Sequence, residues 1–191
     1  MSAWIWVVIG LVVLALIAFA LYRWMTSRRL RQQFGEEYDR TVSETGSRRS
    51  AEGELRERQK RRSKLELNDL SPESQERYRA SWVAIQSRFV DRPAQSVHEA
   101  DDLIAAVMRE RGYPVEDFEQ RAADVSVDHP NVVSNYRAAH AISLASDHDK
   151  ASTEDLRQAM VHYRALFEEI VGAPERVEAP TDEGEAPRRV S

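Results

Sequence analysis

Ser71-Pro-Glu-Ser-Gln-Glu-Arg-Tyr-Arg-Ala-Ser-Trp-Val-Ala-Ile-Gln-Ser-Arg-Phe89 is the stretch on which the fold turns. Its first three residues spell a helix start. A serine hydroxyl can accept from a free backbone N–H, a proline lacks an N–H only where none is needed, and an acid complements the helix dipole. Tyr78, Trp82, Ile85 and Phe89 then recur at steps of four, three and four, the spacing of one helix face. A stripe of that size has to be buried against other elements.

The same signals repeat downstream. Asp91-Arg92-Pro93 punctuates the chain and precedes Val97, Ala100, Ile104, Val107 and Met108, a set closed by Gly112 and Pro114. A shorter helix carries Phe118, Ala122 and Val125. Asp128-His129-Pro130 opens a fourth, with Val133, Tyr136, His140 and Leu144 on one face, and Ser146-Asp-His-Asp-Lys150 is a polar loop. Ser152-Thr153-Glu154-Asp155 fits a capping box. The helix it starts is striped by Leu156, Ala159, Met160, Tyr163, Phe167 and Ile170 and ends at Gly172 and Pro174. Five apolar faces predict an all-α domain of about five helices over residues 71–172. No repeat at solenoid spacing is present. Residues 173–191, rich in Pro, Glu, Ala and Arg, have little to bury and are expected to be disordered.

Upstream, residues 65–70 read as an extended connector and residues 25–64 as a basic helical stalk. Leu30, Phe34, Tyr38 and Val42, four apart, make a thin apolar stripe. From Ser47 the pattern is polar all round except for Ala51 and Leu55, which suits a solvated spacer laced by Glu and Arg pairs. Attachment to anionic lipid headgroups is the alternative, but Glu52, Glu54 and Glu57 interrupt the basic run and favour the spacer.

At 191 residues the chain has room for one soluble domain beside a membrane segment. Its 31% charged and 8% aromatic composition suits helices with polar outer faces. With no cysteine, disulfides, thiolate metal sites and cysteine nucleophiles are excluded. The net charge of -5 is unevenly spread: residues 1–22 carry none, residues 23–64 hold 13 Lys and Arg against 7 Asp and Glu, and the remainder holds 14 against 25. That acidic remainder would repel phosphates, which argues against nucleic acid as a partner.

Residues 3–22 are uncharged, and twenty residues at ~1.5 Å each reach about 30 Å, the thickness of a bilayer core. Trp4 and Trp6 at one end and Tyr22 and Trp24 at the other fall where aromatic anchors meet the two interfaces. Ala18-Phe19-Ala20 resembles a signal cleavage site, but no basic side chain precedes the run, and the run exceeds the usual length of about 7 to 15 residues, so residues 1–24 read as a retained anchor. Arg23, Arg28, Arg29 and Arg31 follow it at once. By the positive-inside rule they place the N-terminus outside and the remaining chain in the cytoplasm, across the inner membrane. No ionisable group lies within the span, which argues against transport, and Gly10 lacks the partner glycine of a GxxxG motif.

Three stretches carry a resemblance: Phe34-Gly-Glu-Glu-Tyr-Asp-Arg-Thr-Val-Ser-Glu-Thr-Gly46, Arg111-Gly-Tyr-Pro-Val-Glu-Asp-Phe-Glu-Gln-Arg-Ala-Ala-Asp124 and Ser126-Val-Asp-His-Pro130. They look like those of uncharacterised single-span bacterial membrane proteins with a cytoplasmic helical module. The resemblance implies the architecture, and no activity, cofactor or site residue comes with it.

Candidate chemistry centres on five histidines. His148-Asp149 matches the HD dipeptide of helical metal phosphohydrolases, yet it falls in a polar loop with only Asp155, a capping residue, downstream of it in the domain. His98 and Asp102, four apart, suit a surface hydrogen bond better than a metal. His140 on an apolar stripe reads as a core histidine bonded to a carbonyl or carboxylate, against the alternatives of a sensor or ligand. His129 belongs to a helix start, and His162 has no evident partner. Phosphate-binding glycine loops, HExxH motifs and serine nucleophile motifs are absent. Tyr78, Trp82, Phe89, Tyr136, Tyr163 and Phe167 read as core or interface aromatics. The expected function is therefore a membrane-anchored helical interaction or scaffold module without cofactor or catalytic residues. Its partners are the bilayer, a protein and, through the stalk, anionic lipid, and self-association is compatible with it. The alternatives are a metal phosphohydrolase at His148 and Asp149 and an envelope-organising protein.

Overall fold

A computed structural model of the chain describes residues 3–172. Over those residues it is all-α, with no strand: α1 (Ala3–Phe34), α2 (Glu36–Thr45), α3 (Arg48–Arg62), α4 (Pro72–Arg88), α5 (Pro93–Arg111), α6 (Phe118–Asp128), α7 (Val133–Ser146) and α8 (Thr153–Val171). The expected disorder of residues 173–191 lies outside the described residues. Among the described residues one helix, near the N-terminus, is long and apolar enough to cross a membrane.

Local signals start α4 and α8 at the expected residues. Ser71 accepts from the Ser74 N–H at 3.1 Å to cap α4. Ser152 and Asp155 complete a reciprocal capping box on α8, the two backbone bonds measuring 2.8 and 3.2 Å. At the end of α5, Gly112 takes φ +95°, and a Cβ built there would lie 2.6 Å from the carbonyl oxygen of Glu66, so only glycine fits beneath the connector. Asn68 donates its N–H to the Arg111 carbonyl at 3.0 Å, and Leu65, Leu67 and Leu70 pack on the core, so the extended connector is laid against the domain.

Helices α4 to α8 enclose one core. Every stripe residue named for α5 and α8 is buried, together with Leu166, which the spacing alone did not single out. α7 departs from expectation. α6 starts on an Asp117 cap and runs through Asp128 to His129, so Asp128-His129-Pro130 ends a helix instead of opening one, and α7 begins at Val133. Leu144 is 51% exposed, and Ala139 and Ser143 take the buried positions. Small side chains there let α7 lie close to α8.

Residues 25–64 are helical and basic as read, but they do not form a free spacer. α1 continues unbroken past its apolar run to Phe34, Gly35 (φ +51°) reverses the chain, and α2 returns along α1. The return is marked by Arg31 facing Asp39 at 3.3 Å and Ser27 facing Tyr38 at 3.4 Å. Gly46 (φ +69°) turns it again and α3 runs back beside α1, with Arg23 near Glu52 at 3.8 Å and Gln59 donating to Gln33 at 2.6 Å. Leu30, Phe34, Tyr38 and Leu55 close a second small core, against which Val127 of α6 packs. The few apolar residues of α3 share one face, and that suffices to dock it.

Candidate functional site

The predicted anchors and arginines all lie along α1. Trp4, Trp6, Tyr22 and Trp24 are all exposed on the helix, as are the apolar residues from Val8 to Leu21. The arginines separate by role. Arg23 faces Glu52, the Arg28 guanidinium lies 5.3 Å from the centre of the Trp24 ring, Arg31 pairs with Asp39, and Arg29 projects outward. A groove of about 260 Å³ opens where α1, α2 and the start of α3 meet, lined by Trp24, Arg28, Arg31, Tyr38, Asp39 and Arg48 among others.

A buried charge cluster centred on Glu37 of α2 was not legible in the sequence. Glu37 is 2% exposed and receives hydrogen bonds from Arg40 and Arg58, both at 2.7 Å, with Arg137 at 3.4 Å. Arg58 is itself buried and reaches Glu54 and Ser126. Burial is the largest single influence on Glu37 and resists its ionisation, but the arginine hydrogen bonds and charges outweigh it, holding the carboxyl below the usual range. This cluster joins α2, α3, α6 and α7. Arg61 faces Asp124 at 3.5 Å, and Arg62 meets Asp128, which also accepts from the Tyr113 hydroxyl at 2.7 Å. Burial, then that carboxylate, pushes the Tyr113 hydroxyl up.

On the far side of the domain, α4 and α8 meet through Trp82 stacked on Phe167, ring centres 4.8 Å apart. Two concavities of about 210 and 200 Å³, sharing Gln86 and Arg164, run along this junction. Val83 and Val161 stand 63% and 49% exposed on their walls, Met160 and Phe89 contribute apolar surface, and Arg79, Arg157 and Arg164 line the edges. Glu168 lines the same junction and accepts from Arg164 at 2.6 Å, and Arg157 pairs with Glu154 at 2.6 Å, so three arginines and one carboxylate line it although residues 71–172 hold 11 Lys and Arg against 18 Asp and Glu.

The other aromatics and four of the five histidines make contacts between helices. Tyr136 and Tyr163 are fully buried with ring centres 6.1 Å apart, and Tyr78 donates to Glu110 at 2.7 Å. His140 stacks on Phe118 at 3.5 Å and faces the Asp101 carboxylate at 3.7 Å. His98 faces Asp147 at 3.1 Å and Ser143 at 3.1 Å, across helices, not its neighbour Asp102. His129 meets Glu169 at 3.1 Å and His162 meets Asn135 at 3.0 Å. His148 and Asp149 occupy an exposed turn, and among the described residues no group of three His, Asp or Glu side chains is close enough to hold a metal ion.

Comparison of the chain with known protein families, curated proteins and solved structures gives no match.

Proposed function

We propose that this chain is a membrane-tethered interaction module: α1 crosses the inner membrane with its N-terminus outside, and the helical domain on the cytoplasmic side docks a protein partner in the α4–α8 groove. The observation that carries the reading is that groove. An apolar floor of Trp82 and Phe167 with exposed Val83 and Val161 beside it is surface that water would rather see covered. Of the arginines at its edges, Arg157 and Arg164 are already paired with Glu154 and Glu168, and Arg79, which donates to the Gly172 carbonyl at 3.0 Å, favours an occupant whose apolar side chains are flanked by a carboxylate. The arginine cluster after the uncharged run supports the cytoplasmic orientation.

Photo-crosslinking side chains placed at Val83 and at Val161 in intact cells test it. The expected result is one and the same adduct from both positions, none from the exposed Leu144 on α7, and loss of the adduct in Arg79→Glu/Arg164→Glu. Adducts that ignore position or charge reversal, or none at all, overturn the docking site.

A further inference from the structure

We propose that the groove between the foot of α1 and the α2–α3 turn binds the phosphate of an anionic lipid headgroup. The inference rests on the reading of α1 as a membrane span. Arg28 lies four residues beyond Trp24, about 6 Å along the helix axis. An interfacial Trp24 therefore sets Arg28 in the headgroup layer, which is about 5 to 8 Å thick on each face of a bilayer.

The fold adds what the linear sequence lacks. Because α2 runs back along α1, the turn at Gly46 and Ser47 returns to the level of Trp24, and Arg48 lines the same groove as Arg28 and Arg31. Arg48 also opens α3, whose N-terminal end carries partial positive charge. Three arginines, two from α1 and one from α3, thus line one concavity together with Ser27 and with Tyr38 of α2. Guanidinium forks match phosphate oxygens in geometry as well as charge. The Trp24 ring, beside Arg28, offers an apolar face to the glycerol and upper acyl chain. One feature opposes anion binding: Asp39 sits in the groove and pairs with Arg31 at 3.3 Å, so Arg28 and Arg48 are the primary donors and Arg31 is partly engaged.

The full chain, reconstituted into vesicles and then extracted in detergent, is to be examined by native mass spectrometry with short-chain phosphatidylglycerol and phosphatidylcholine in competition. The expected result is one retained phosphatidylglycerol, preferred on the order of tenfold. Arg28→Gln/Arg48→Gln loses that preference and Asp39→Asn strengthens it. Arg29→Gln/Arg49→Gln, which removes the same charge outside the groove, retains it. Equal retention of the two lipids, or equal effects of the two double variants, overturns the site. Displacement of the lipid by millimolar inorganic phosphate assigns the groove to a soluble phosphate and overturns the lipid assignment. Failure of the wild-type chain to enter vesicles of either composition overturns the membrane reading itself, separately from the groove.

Discussion

A carboxylate closed off from water and met by three guanidinium groups is held by the difference between two large opposing effects, desolvation and attraction. Glu37 stands in that position, with Arg58 equally buried beside it. Its folded-state ionisation lies below the unfolded value, so its contribution to stability is complete above the ordinary carboxylate range and disappears as pH falls through the lowered folded value. Thermal unfolding followed by circular dichroism from pH 6 downward should show a steep acid loss that Glu37→Gln flattens. Arg58→Ala, which strands the buried carboxylate, should cost about 3 to 5 kcal/mol in denaturant unfolding. Gly112 matters for a different reason. Its left-handed φ and the carbonyl of Glu66 beneath it leave no room for a methyl group, so Gly112→Ala should destabilise by more than ~1 kcal/mol in the same measurement. The glycine stop was legible as a helix end. The carbonyl beneath it was not, since nothing in the residue order brings Glu66 under Gly112.

Among the elements, α3 separates the two ways of reading a polar helix. Fifteen residues with two apolar side chains look like a solvated spacer, and a free spacer would tolerate the loss of either. Yet Leu55 is fully buried beside Phe34 and Tyr38, with Ala51 in the same state. Leu55→Ala should therefore cost about 2 to 5 kcal/mol, and limited proteolysis of that variant should cut first within α3. An unchanged denaturation midpoint and cleavage pattern would return α3 to the solvent. The five downstream helices were legible because each joins a strong local start to a long apolar stripe, as α4 does with Ser71, Pro72, Tyr78, Trp82 and Ile85. α7 was misplaced because a proline after an acid can open or close a helix, and the Asp117 cap on α6 decides which. The histidines illustrate the same limit, since His98 and His162 find partners 45 to 49 and 27 residues away in the chain.

At the scale of the molecule, a helix of 32 residues joins the apolar run to the domain without a break, and its last turns are part of a packed core. On the proposed reading of α1 as a membrane span, a tether built this way would set the orientation of the domain as well as its distance from the bilayer, unlike a flexible linker. Because the chain has no cysteine, single replacements report sidedness cleanly. A membrane-impermeant thiol reagent should label Ser2→Cys in intact spheroplasts and Ser87→Cys only after lysis, and the reverse pattern would move the domain to the outer side. The apolar run, the basic flank, the helix starts and the five stripes were all determined by residue order alone, because hydropathy, charge asymmetry, capping and periodicity act over one to six turns of chain. Tertiary structure alone decided that α2 and α3 fold back on α1, that Glu37 gathers Arg58 and Arg137 from 21 and 100 residues away, and that α4 and α8 leave an apolar groove between them. Those features depend on which faces meet, and a single helix face carries too little information to name its neighbour.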